Sequence, residues 1–366
     1  MKGLFVVIEG PDGSGKTSQC NLLKDYLGRR AIITKEPTKI SSVSDKILKI
    51  LTKQEKVDPL ELQRLFAIDR GEHLARDIRP AVKEGKIVIS GVGNAANHAI
   101  GIARLGHSSG IYTVVGDDTE GHEAKKILEK NGVDVSNVVF DTEHGTNLSV
   151  VINFKSERTI LVYHEPRTYE LPSNVSPKWL YLTSASGDGV KNLHDQVLQL
   201  LEKNKETKLA FNPGTHQINL GKEELLPLLK KTELLFLNRE EAARVLEIET
   251  TDVHTLIYGF HAIGVPTVVL TDGPKGAYAS NGKNIYYLPI YPGKEVERTG
   301  AGDAYGSGFL AGILHGKGIS EAMQWGNANA TSVVMYVGAR EGLLEQEALL
   351  HMIQEFSTIK PTHYVN

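Results

Sequence analysis

Thr299-Gly300-Ala301-Gly302-Asp303-Ala304-Tyr305 runs directly into Gly306-Ser-Gly-Phe-Leu-Ala-Gly312, a small-residue stretch that reads as a helix. Small residues at 300 to 302 let backbone N–H groups converge at a helix N-terminus, where unsatisfied amides and the helix dipole favour an anion. Gly300, Ala301 and Gly302 therefore form a candidate anion hole. Asp303 adjoins them, placed to take a proton from an attacking hydroxyl. An acid at a helix start also serves as a plain cap, but the glycine pattern favours the catalytic role.

Outward from this stretch, strands alternate with helices. Strands are expected near 179–183, 207–211, 234–237 and 267–271, with helical patterns between them. A helix is expected from Asn94 to Leu105, stopped by Gly106, and a strand at Val114-Val115 that leads into Gly116-Asp117-Asp118. Two runs, Asn147–Phe154 and Thr159–His164, flank a polar break at 155–158 and predict a β-hairpin. Toward the N-terminus, Leu4–Ile8, Ala31–Thr34 and Ile87–Ile89 read as short strands, with helical periodicity at 16–27, 44–53 and 59–84. This alternation implies a parallel α/β sheet.

The 366 residues are enough for two domains or one large one, and 40% hydrophobic with 23% charged content is ordinary for a globular protein. A formal net charge of -3 supplies no basic field for nucleic acid or an anionic membrane. The one cysteine, Cys20, cannot form an internal disulfide, so a cytoplasmic setting is expected. Met1–Glu9 is too short an apolar run for a signal peptide, and no stretch approaches the ~18 apolar residues of a membrane span. The histidines are scattered, with no Cys cluster, which speaks against structural zinc.

A second constellation lies near the start. Gly10-Pro-Asp-Gly13-Ser14-Gly15-Lys16-Thr17 sits between an expected strand and an expected helix. The glycines let backbone N–H groups curl around phosphate oxygens, Lys16 neutralises charge and the Thr17 hydroxyl can ligate Mg²⁺. With Phe5–Glu9 before it, Thr34-Lys-Glu-Pro37-Thr38 and Leu65-Phe66-Ala-Ile-Asp69-Arg70, this segment resembles the opening of thymidylate kinases. That resemblance implies stacking of the base on Phe66 and a hydrogen bond from Arg70. It stops at Ser90-Gly91-Val92, where that family carries an Asp-Arg-Tyr-like motif, and the later arginine-bearing lid has no counterpart.

From Gly93 onward the chain resembles another family. Gly93-Asn-Ala-Ala-Asn97-His-Ala99, Val115-Gly116-Asp117-Asp118, Asn238-Arg-Glu-Glu241, Thr271-Asp-Gly273-Pro-Lys-Gly276-Ala277, Thr299–Asp303 and Trp325-Gly-Asn327-Ala-Asn329-Ala330 are together similar to the sugar and nucleoside kinases of the ribokinase (PfkB) family. The resemblance implies that Asp303 is the catalytic base and that Asn97 faces substrate hydroxyls. It gives Glu241 a water-mediated hold on Mg²⁺, and places Asn238, Thr271, Gly273, Gly276 and Asn327 around ATP. Glu297 and Arg298 stand where an Asp-Thr-like pair is common, so activation by a monovalent cation is left open.

The expected fold is α/β, a ribokinase-like three-layer sheet with a partial β lid over 91–366. An incomplete P-loop kinase segment over 1–90 precedes it. Lys86–Ser90 runs into Gly91-Val-Gly93 with no Pro/Ser-rich spacer, the mark of a fusion. The expected activity is ATP- and Mg²⁺-dependent phosphorylation of a hydroxyl on a small sugar or nucleoside. The alternatives are thymidylate (dTMP) phosphorylation by the first segment, or a non-catalytic nucleotide-binding fusion. Lid pairing, common among the relatives, would make the protein a homodimer.

Overall fold

The computed structural model describes Lys46, Lys49 and residues 94–365, apart from Lys155, Ser156, His164, Asn174, Ser186, Asp188 and Val337. The P-loop stretch Gly10–Thr17, Phe66 and Arg70 lie outside the described residues. The chain divides into two compact units, Met1–Ile89 and Ser90–Asn366, and the elements below belong to the second.

Helix α1 (Asn94–Arg104) leads to strand β1 (Ser109–Gly116), α2 (Thr119–Lys130) and β2 (Val133–Asp141). β1 and β2 pair in parallel. The Asp118 carboxylate caps α2 by accepting from Gly121 N at 2.8 Å, and α2 covers one face of the pair through Ala124 and Leu128. The expected hairpin is present as β3 (Leu148–Phe154) and β4 (Glu157–Tyr163), paired from Leu148↔Tyr163 to Phe154↔Glu157. Its polar break is shorter than the composition suggests. Glu157 and Arg158 are polar yet lie within the ladder, because pairing satisfies their backbone groups whatever the side chains.

The rest of the chain supplies β5 (Trp179–Leu182), α3 (Val190–Lys203), β6 (Lys208–Phe211), α4 (Lys222–Leu229), β7 (Thr232–Asn238), α5 (Arg239–Leu246) and α6 (Val253–Ile263). Then come β8 (Thr267–Thr271), β9 (Ala277–Ser280), β10 (Ile285–Leu288), α7 (Ala301–Leu314), α8 (Ile319–Val334), α9 (Gln346–Glu355) and β11 (Thr362–His363). Seven strands form one sheet in the order β11-β10-β9-β8-β7-β6-β5. β5 to β8 run parallel, and β9, β10 and β11 continue the sheet antiparallel.

β7 shows why this is a three-layer structure. Leu235 and Leu237 face one core with α3, α4, α5 and α6, while Leu234 and Phe236 face another with α7, α8 and α9. A strand buried on both faces is the signature of a covered parallel sheet. α7 and α8 approach closely because of glycine. A Cβ on Gly308 would lie 2.5 Å from the carbonyl oxygen of Trp325, so a larger residue would push the helices apart. α1 bridges the cores, with Ile100 packed under β1 and Ile102 and Leu105 under the main sheet.

Candidate active site

The first turns of α7 meet α1 at Asn97 and the end of β5 at Tyr181. Gly300 is the N-cap of α7 and has φ +81, the left-handed region that an L side chain adopts only with strain. A Cβ there would also fall 2.6 Å from the Ala339 side chain. A Cβ on Gly302, by contrast, would meet nothing within 4 Å, so this turn opens onto free space. The first amides of a helix have no intrahelical acceptor. Within the turn the Ala301 amide already donates to Arg298 O at 3.2 Å, so the Gly302 amide is the donor fit for a phosphate.

Asp303, in the first turn of α7, is buried at 7% exposure. The Asn97 amide, on α1, donates to its Oδ2 at 2.9 Å, joining residues 206 apart in the chain. Asn97 is itself buried, and its Oδ1 has no partner among the described residues. Beside it the His98 ring stacks on Tyr181 of β5, with centroids 3.3 Å apart and planes 18° from parallel. Burial pushes the His98 pKa down to about 3, so this ring is neutral, and a hydrogen bond with the Gly306 backbone opposes that fall only in part. Burial, then the nearby charge of Asp303, drives the Tyr181 phenol well above its usual range. The Tyr181 hydroxyl lies against Gly306, where a Cβ would come within 2.8 Å of it.

The expected nucleotide motifs converge as well. Asn238 ends β7 and Thr271 ends β8, and the two are partners in the parallel register. Arg239 pairs with Asp272 at 2.6 Å and ties the two loops together. Gly273 opens a 3-10 turn, and Gly276 closes the loop as its carbonyl accepts from Asp272 N at 2.8 Å. Asn238 and Glu241 form a reciprocal capping box. The Asn238 side chain accepts from Glu241 N at 2.8 Å, and a Glu241 carboxylate oxygen accepts from Asn238 N at 2.9 Å. Burial raises the Glu241 pKa, partly countered by the hydrogen bond from Asn238 N. One Glu241 oxygen is thus committed to the helix cap, and the other is the one fit for a water on Mg²⁺. Asn327 is buried on α8 and gives its amide to Pro289 O at 3.0 Å, so it braces the chain after β10.

Three residues escape a reading of the sequence: His98, Tyr181 and Arg167. His98 and Tyr181 look like ordinary helix and strand residues until the fold stacks them. Arg167 belongs to no motif, yet its side chain is 1% exposed and it pairs with Asp141 at 2.8 Å. Burial works to raise the Asp141 pKa, but bonds from Glu143 N, His144 and Arg167 hold it at about 2. This pair borders a cavity of about 580 Å³ at the ends of β1 and β2, lined also by Val114, His144 and Pro166. Asp303 and Asn97 do not line it.

An acid at the head of a helix, a glycine turn beneath it and nucleotide-type loops at parallel strand ends define an α/β phosphotransferase. The chain belongs to the pfkB family of carbohydrate kinases, whose family model matches residues 73–346. A second family model, that of thymidylate kinase, matches residues 8–91, so the two matches share 73–91. An uncharacterized sugar kinase of Archaeoglobus fulgidus is 28% identical over 251 residues, covering 67% of this chain and 98% of that protein. A nucleoside kinase of Methanocaldococcus jannaschii is 27% identical over 272 residues, covering 72% of this chain and 85% of that one. The structure of Arabidopsis thaliana ribokinase complexed with ribose and ATP superposes with a TM-score of 0.63 at 20% identity, over 72% of this chain and 87% of that chain. That likeness shows the ribokinase-like fold. No helix of the described residues is long and apolar enough to cross a membrane.

Proposed function

We propose that this kinase transfers the terminal phosphoryl group of ATP to a hydroxyl of a sugar or nucleoside, with Asp303 as general base. One observation carries the reading: Asp303 is buried at the head of α7, directly after the open Gly300–Gly302 turn, and is held by Asn97 from another helix. ATP supplies the phosphoryl group and Mg²⁺ neutralises its charge. In this reading Asn238, Thr271, Gly273 and Gly276 hold the nucleotide, supported by the Asn238↔Thr271 register and the Arg239–Asp272 pair, and Glu241 orders a water on the metal. Asn327 acts behind them by bracing the chain after β10.

Asn97 has two tasks in this scheme. Its amide N–H donates to Asp303, which favours the ionised, proton-accepting form of the carboxyl. Its buried Oδ1 is an acceptor awaiting a donor, which a substrate hydroxyl supplies. Asp303 takes the proton of the attacking hydroxyl, while the Gly302 amide, next to an Ala301 amide that is bonded to Arg298 O, holds the charge gathering on the transferred group. The hairpin β3–β4 serves as a half-lid, and its pairing with a second copy makes the homodimer. We likewise propose two domains, a thymidylate kinase-like segment over 1–90 and a ribokinase-like kinase over 91–366.

A coupled assay of ADP release, run on a panel of sugars and nucleosides with dTMP beside them, tests the reading. Turnover of at least one sugar or nucleoside in the presence of Mg²⁺ is expected. Turnover of dTMP alone would replace it.

A further inference from the structure

Glu297 is a carboxylate in an enclosed place, 5% exposed, on the loop that leads into the Gly300–Gly302 turn. Its Oε2 accepts from Gly338 N at 2.9 Å, across 41 residues. The same loop is fastened to the end of α8 twice more, since Val296 N and Glu297 N both donate to Val334 O at 2.8 and 3.1 Å. The residue after Gly338 is Ala339, the residue that leaves no room for a side chain on Gly300. The contacts thus form a short chain: Glu297 holds Gly338, Ala339 abuts Gly300, and Gly300 sets the left-handed start of α7. The neighbouring Arg298 does not neutralise Glu297, because it pairs with Glu295 at 2.9 Å.

We propose that Glu297 is a positioning residue for phosphoryl transfer: its buried carboxylate locks the 338–339 segment against Gly300 and so fixes the amides of the 300–302 turn. The proposal rests on the kinase reading of that turn. A carboxylate bonded to a backbone N–H makes a short, strong hydrogen bond, which suits a contact that must hold a loop to a fraction of an ångström. Misplacing a catalytic group by about 1 Å costs on the order of 10²-fold in rate.

Two full-length variants separate this role from bulk packing. Glu297→Gln keeps an oxygen that can accept from Gly338 N–H; Glu297→Ala removes it. With whichever acceptor the panel identifies, Glu297→Ala is expected to lose about 10²-fold in kcat with the acceptor KM nearly unchanged. Glu297→Gln should retain most of the parent kcat. Amide exchange, which needs no substrate, should show Gly338 N–H protected in the parent and in Glu297→Gln but released in Glu297→Ala. Resonances of Gly300 and Gly302 should move only in Glu297→Ala. Unchanged kcat in Glu297→Ala would overturn the proposal, as would equal losses in both variants or a Gly338 amide indifferent to both. If the parent phosphorylates nothing, the kinase reading fails, and the exchange data still decide whether Glu297 holds the turn.

Discussion

At the scale of the residue, Asp303 is the proposed base and its neighbours set its state. Asp303→Asn keeps the shape and removes the base. General-base catalysis contributes about 10²–10⁴-fold, so sugar or nucleoside kinase turnover should fall by that much while ATP binding, read by calorimetry, stays close to the parent's. Turnover within a factor of two would remove Asp303 from the mechanism. His98 makes a different prediction, for stability. A histidine in the unfolded chain titrates near 6.5, whereas His98 in the fold is held down to about 3 by burial. As pH falls below about 6.5 the unfolded chain takes up a proton that the native state refuses. The contribution of His98 is therefore complete above that pH and drains away toward pH 3. His98→Phe, which keeps a ring to stack on Tyr181, should flatten the acid limb of the stability curve between pH 6 and 4. The change in slope should approach 1.4 kcal/mol per pH unit, as expected for one proton. Parallel curves for parent and variant in urea melts would assign the acid sensitivity elsewhere.

At the scale of the element, the N-terminus of α5 does two jobs that mutation can separate. Asn238 is its N-cap, and Glu241 is both the third residue of the capping box and the carboxylate assigned to Mg²⁺. Asn238→Ala strips the cap and should cost about 1 kcal/mol of stability, within the usual 0.5–2 kcal/mol range. Glu241→Gln retains an oxygen to accept from Asn238 N, so its stability should stay near the parent's. Because it loses the charge, the Mg²⁺ concentration for half-maximal rate should rise about tenfold, the low end of what altered metal-site partners cost. Equal destabilisation of the two variants with no change in Mg²⁺ requirement would leave Glu241 a cap and nothing more.

At the scale of the whole molecule, the chain carries two phosphate motifs from two families, and the family matches meet over residues 73–91. Lys16→Ala tests whether they share one activity. Lys16 belongs to the thymidylate kinase-like segment, so the rate of sugar or nucleoside phosphorylation should be unchanged in this variant. The same preparation should show no dTMP kinase activity, because the arginine-bearing lid of that family has no counterpart in the sequence. One catalytic arginine can be worth about 10³–10⁵ in rate. Conversion of dTMP to dTDP by the parent, lost in Lys16→Ala, would make the first segment an enzyme in its own right.

How far the sequence reaches depends on whether a feature is local. The turn at Thr299–Asp303, the helix after it, the hairpin and the strands β5 to β8 were legible because glycine patterns, apolar runs and periodicity act through near neighbours along the chain. β2, β9, β10 and β11 were not. β9 and β10 are four residues each and β11 is two, and segments that short take strand form only because a neighbouring edge offers hydrogen bonds. The roles proposed for Asp303 and Asn97 rest on motifs, but no motif could show their 2.9 Å contact, since 206 residues separate them. Nor could any local pattern show that His98 is held neutral, that Arg167 is buried, or that Glu297 reaches Gly338. Burial and charge pairing are set by which distant segments the folded chain brings together, and that is decided by the packing of three layers rather than by the order of residues along any one of them.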